Sequence, residues 1–191
     1  MSGPIPLQHG QFYHIYNRGN NRQNIFGKER NYRYFLRLYA KHIEPAAETY
    51  TYCLLPNHFH FLVRIRDLTG LKKPSQSFSN LFNAYARAFN KAYDRTGSLF
   101  QRPFGRISVT SDAYFTWLIA YIHRNPQKHG LVADFCAWTY SSYHALLSTK
   151  PTRLQRDEVL AWFDGATGFQ AFHRQDLSEQ QIASLVADDF D

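Results

Sequence analysis

An α+β architecture, an antiparallel sheet with helices packed on one face, is what this chain of 191 residues predicts. Three observations lead there. Segments 11–17 and 58–66 alternate side chains at the period of two that a strand imposes. Segments 28–43 and 78–93 repeat aromatic and aliphatic residues at helical spacing. The segments follow one another as β, α, β, β, α, β and then α, which is the split βαβ order of ferredoxin-like folds.

The first strand, QFYHIYN (11–17), gives way to Arg18-Gly19-Asn20-Asn21, a turn composition. In the helix over 28–43, Tyr32, Phe35, Leu36 and Tyr39 share a stripe, with Arg and Lys between them on a basic outer face. TYTYCLL (49–55) is β-prone, and Pro56-Asn57 punctuates it. The two central strands are expected to be this one and the next, HFHFLVRIR (58–66), or their neighbours. Phe59, Phe61, Val63 and Ile65 form one face of 58–66; His58, His60, Leu62, Arg64 and Arg66 form the other. Residues 67–77 read as a polar loop. The stripe Phe78, Leu81, Phe82, Tyr85, Phe89 and Tyr93 predicts a second helix, and FGRISVT (104–110) the last strand. Ser111 or Asp112 can cap a third helix, which Asn125-Pro126 is expected to stop after Arg124. A loop with Trp138 and YSSYHALL then packs back on the body. Short helices are expected near 156–163 and 178–187, a C-terminal helical extension.

Charge divides the chain. The formal net charge is +7; residues 1–150 carry +12 and residues 151–191 carry −5. A domain over 1–150 with an acidic extension over 151–191 follows, and the basic body points to a polyanion such as nucleic acid. The two cysteines, Cys53 and Cys136, stand in no metal-binding pair and suggest no disulfide framework. No apolar run approaches a membrane span, and the N-terminus lacks a signal-peptide pattern, so a cytoplasmic protein is expected.

Two stretches carry chemistry. His58 and His60, two apart on one strand face, can converge their imidazoles on one cation, while Phe59 between them enters the core. Two His ligands alone leave the site incomplete; with mixed nitrogen and oxygen donors, Mg²⁺ or Mn²⁺ acting on a phosphate fits. Tyr121 and Asn125 are four apart and share a helix face. Tyr121 is one of 13 tyrosines, and spacing does not single it out.

Three blocks do so together. LLPNHFHFLVRI (54–65), GSLFQRPFGRI (97–107) and AYIHRNPQKHGLV (120–132) resemble the signature blocks of the HUH single-tyrosine transposases, a group that includes insertion-sequence and REP-associated tyrosine transposases. FYHIYNRGNNRQNIF (12–26) resembles the family's first strand and loop, and the likeness spans about residues 11–145. It implies that His58 and His60 are metal ligands, Asn125 the third ligand and Tyr121 the nucleophile. It also implies cleavage and rejoining of single-stranded or hairpin DNA, repeated palindromic elements among them, through a 5′-phosphotyrosine. It leaves both monomer and homodimer open. Arg64, Arg66, Arg102, Arg106, Arg124 and Lys128 surround the blocks and are expected to form a nucleic-acid track. The competing readings are a non-catalytic nucleic-acid binder on the same fold and a metal-dependent hydrolase of small phosphoesters.

Overall fold

The computed structural model describes residues 5–67 and 73–175. Strand β1 (Phe12–Arg18) leads through a short 3-10 turn into helix α1 (Glu29–His42), followed by β2 (Ala47–Leu54) and β3 (His58–Ile65). Helix α2 (Pro74–Ala92) returns to β4 (Gly105–Val109), and helix α3 (Asp112–Lys128) follows. Three shorter helices complete the described chain: α4 (Tyr143–Leu147), α5 (Arg156–Ala161) and α6 (Ala166–Arg174). The sheet is antiparallel throughout, in the order β2-β3-β1-β4. This is the ferredoxin-like arrangement expected, with a strand of the expected pair and its neighbour at the centre. β3 and β1 are central and β2 lies at an edge, because β1 inserts between the β2–β3 hairpin and β4.

One difference matters for function. Helices cover both faces of the sheet, not one. On the first face, Tyr13, Ile15, Phe59, Phe61, Val63 and Ile65 pack against Phe35 and Leu38 of α1 and against Phe78, Phe82 and Tyr85 of α2. On the second, Tyr50, Cys53 and Leu62 pack against Leu118, Ile119, Tyr121 and Ile122 of α3, and Val159, Phe163 and Phe169 join the same core. The histidine-bearing face of β3 is therefore the floor of a helix interface, and every residue of β3 except Arg64 is buried. Alternation located the two faces but could not show that α3 covers one of them.

Local chemistry sets the ends of the elements. Pro74 occupies the first turn of α2, where its missing N–H costs no helical bond, so the helix starts four residues earlier than its apolar stripe. Ser111 caps α3 by accepting a hydrogen bond from the Tyr114 N–H. Helix α3 does not stop at Arg124. Pro126 removes one donor only, and His129 N–H closes the next turn on the Asn125 carbonyl at 3.0 Å. Asn125 thus sits inside regular helix. A register shift between Thr49 and Thr51 bulges β2. Thr49 faces Tyr39 of α1, whereas Thr51, two residues on, faces α3; a regular strand would put both on one side. Residues 156–161 and 166–174 are helical; the helix expected at 178–187 lies outside the described residues.

Gly105 shows how tightly β4 meets β1. A Cβ there would lie 2.1 Å from Cζ, at the outer end of the Tyr16 ring, so the ring would have to shift. Gly105→Ala is expected to lower the melting temperature by several degrees, as overpacking of about 1–3 kcal/mol does. A thermal scan unchanged within error would show that Tyr16 can move aside.

Candidate active site

His58 and His60 open β3, and α3 lies over them. The two rings meet edge to face with centroids 5.1 Å apart. The Tyr121 ring stands edge-on to His60 at 5.8 Å. Asn125, one helical turn further, turns towards His58. Its Oδ1 is buried and makes no hydrogen bond of good geometry, yet the amide is close enough to His58 to favour the ring's protonated form. Lys128, one turn beyond Asn125, holds its ammonium 5.4 Å from the centre of the Tyr121 ring. The four residues drawn from separate blocks of sequence, His58, His60, Tyr121 and Asn125, are therefore brought together by the packing of α3 on β3.

Neighbours fix the histidines. His58 Nδ1 donates to the Asn57 side-chain oxygen at 2.7 Å, so Nε2 is the nitrogen that would meet a cation. His60 Nδ1 lies 2.9 Å from Nε2 of His14 on β1. Such partners set the tautomer and orientation of an imidazole ligand. Burial pushes His58 down to about 2, with the charges of His60, His129 and Arg18 acting in the same direction. Burial, then His129, Arg18 and Lys128, push His60 down to about 3. Both rings are neutral at physiological pH, the state a metal ligand needs.

Sequence reasoning missed His14, His129 and Asn57. His14 was visible as a polar residue in the alternating first strand, but its approach to His60 depends on the β1–β3 register, which pairs Tyr16 with His60. His129, with its ring 4.9 Å from His58, depends on α3 running past Pro126.

The six cations separate. Arg64 and Arg66 lie at the far end of β3, roughly 20–25 Å from His58 at the rise of a strand. Arg66 is tied to Glu48 at 3.1 Å and to the Glu44 carbonyl; Arg64 lies over the Phe12 ring. Arg102 and Arg106 line a cavity of about 640 Å³ between α2 and residues 97–106, which also reaches Asn17 at the end of β1 that adjoins the site. Among the described residues no acidic side chain lines it. Arg106 stacks on Phe104 at 3.9 Å, and its Nε is buried without a hydrogen-bond partner among the described residues. Arg124 donates to the Gln175 carbonyl.

Among the described residues no group of three or more His, Cys, Asp or Glu side chains could hold a metal, so a cation at His58 and His60 needs a different third donor. Asn125 could supply it: a buried amide oxygen without a good hydrogen bond carries a desolvation cost that a cation would offset.

The family model for IS200-like transposases matches residues 8–125. The chain belongs to that family. It is 30% identical over 104 residues to a putative REP-associated tyrosine transposase of Haemophilus influenzae, covering 51% of this chain and 59% of the relative, so the match spans less than two thirds of that protein. Its fold matches the structure of a REP-associated tyrosine transposase bound to a REP hairpin, with a TM-score of 0.65 and 18% identity over 79% of this chain and 88% of the other. Membership of the IS200-like family calls for a divalent metal. No described helix is long and apolar enough to cross a membrane.

Proposed function

We propose that this IS200-like transposase cuts and rejoins single-stranded or hairpin DNA, with Tyr121 as nucleophile. The observation that carries the reading is the convergence of Tyr121 and Asn125 on the two neutral histidines, His58 and His60. His58, His60 and Asn125 would hold Mg²⁺ or Mn²⁺, which when bound polarises the phosphate and eases departure of the leaving oxygen. Asn57 and His14 keep the two imidazoles aimed. Tyr121 Oη forms a bond to phosphorus while the P–O3′ bond breaks. The phenol loses its proton as this bond forms and the departing 3′ oxygen gains one, so the protons balance. The product is a 5′-phosphotyrosine and a free 3′ hydroxyl, and the reverse attack by a 3′ hydroxyl rejoins DNA without ATP.

The chemistry belongs to residues 1–150, but the extension is built into the same structure. Trp162 stacks on Tyr50 at 5.3 Å, and Leu154 bridges to Thr49. Hairpins of repeated palindromic DNA are the substrate class we favour, and the cytoplasm the setting. A hairpin oligonucleotide incubated with Mn²⁺ and run on a denaturing gel tests the reading. A covalent protein–DNA species supports it; metal-dependent cuts without one point to a hydrolytic nuclease; binding alone points to a non-catalytic binder.

The separated arginines give a second test. Arg106→Ala is expected to weaken hairpin binding and lower the slope of log affinity against log salt by about 1. Arg66→Ala, at a guanidinium already held by Glu48, is expected to leave both unchanged. Titrations at several salt concentrations decide it, and equal losses in the two variants would place the DNA across both ends of the sheet.

A further inference from the structure

Between Tyr121 and Asn125, helix α3 carries a fully buried histidine that the cleavage chemistry does not use. His123 Nδ1 lies 2.8 Å from Nε2 of His173 on α6. The direction of that bond follows from its far end. His173 Nδ1 is 2.7 Å from the Phe169 carbonyl oxygen, which can only accept. His173 must therefore carry its proton on Nδ1, and its Nε2 accepts from His123 Nδ1. His123 Nε2 is then an acceptor, facing the hydroxyls of Thr51 at 2.7 Å and Ser142 at 2.8 Å. The chain of bonds runs from β2 and the start of α4, through α3, to the backbone of α6. Burial keeps His173 low, at about 4, so the neutral pairing persists.

A buried polar chain of this kind gains little stability over well-packed apolar residues, but it specifies one geometry. Here it specifies the rotation of α3. His123 follows Tyr121 by two residues, about 200° around the helix, so it grips the flank away from His60. Turning Tyr121 out of the site requires pulling His123 from its partners on two sides. The bulge in β2 is part of the device, since without it Thr51 would face away from α3.

We propose that His123 and His173 are positioning residues for Tyr121, so that α6, which lies beyond the family-matched residues 8–125, sets the alignment of the nucleophile. The inference rests on Tyr121 being that nucleophile. Three full-length variants test it. His173→Gln offers an amide oxygen in place of Nε2; His173→Leu and His173→Phe offer no acceptor, and Phe keeps the ring volume should Leu fail to fold. Two quantities are read below the melting temperature: hydrogen exchange of amides 118–128, and the single-turnover rate of adduct formation at saturating hairpin DNA with Mn²⁺. In Leu and Phe, exchange is expected to rise about three- to tenfold, as loss of one buried bond allows. The adduct rate is expected to fall about 10- to 100-fold, as misalignment does, with DNA affinity kept within twofold. Gln is expected to restore both. Unchanged exchange in Leu and Phe overturns the tie. Faster exchange with an unchanged adduct rate, or Gln as impaired as Leu, overturns the positioning role. A wild type that forms no adduct overturns the cleavage reading instead, while the exchange measurement still decides the tie.

Discussion

Tyr121→Phe is expected to abolish covalent attachment to DNA and to cut strand cleavage by more than about 10⁴-fold, as removal of a nucleophile does. The change deletes one oxygen from a ring packed between α3 and β3, so stability should shift by no more than about 1–2 kcal/mol and hairpin affinity should hold. Tyr114→Phe, two turns earlier on the same helix, is the control and should retain activity. An oligonucleotide labelled at either end, resolved on a denaturing gel, gives the result, and peptide mapping of the wild-type adduct locates the attachment. An adduct that survives in Tyr121→Phe, or that maps elsewhere, sinks the assignment.

The second large effect is expected at the histidines. His58→Gln or His60→Gln should lower metal-dependent cleavage by at least about 100-fold, since even the outer partners of a ligand are worth 10–100-fold. Calorimetric titration with Mn²⁺ should show the binding heat lost in the double variant, with circular dichroism unchanged. Unaltered Mn²⁺ binding would remove His58 and His60 from the metal site. His14→Ala should cost less, about 10–100-fold, because it leaves both ligands and frees only the orientation of His60.

Much of this arrangement can be read from the residues. The alternation of HFHFLVRIR separates a core face from a histidine face because a strand's period is two, and that separation survives in the structure. The basic helices and their apolar stripes are equally plain. What the sequence hides is which elements share a face of the sheet. The histidine face could have been open; only the docking of α3 makes it a buried floor, and no local pattern in 112–128 states its partner. Asn125-Pro126 looks like a stop because proline disfavours helix in the residue before it. Tertiary packing overrides that preference, and the extra turn places Lys128 and His129 beside the site. Arg64 and Arg66 sit close in sequence to His58, but extended backbone carries them away from it. Arg106, distant in sequence, lies on the strand that adjoins β1. The pairing of His123 with His173 spans 50 residues, and neither histidine stands in a pattern that announces the other.

The outer edge of β2 is occupied by the chain itself. Leu54 N–H donates to the Tyr140 carbonyl at 2.9 Å, Ser142 N–H to the Tyr52 carbonyl at 3.0 Å, and Gln155 N–H to the Thr49 carbonyl at 2.9 Å. An uncovered edge strand is a template on which another copy can build, the first step towards aggregation. Residues 140–155 close that template, so two folded copies cannot merge their sheets through β2. They also emerge late in synthesis. A nascent chain that has reached α3 already holds all four strands and the proposed site residues, but its β2 edge is still bare. A stop codon shortly after Lys128 would therefore leave the β2 edge bare, and such a truncated chain is expected to aggregate more readily than the full one.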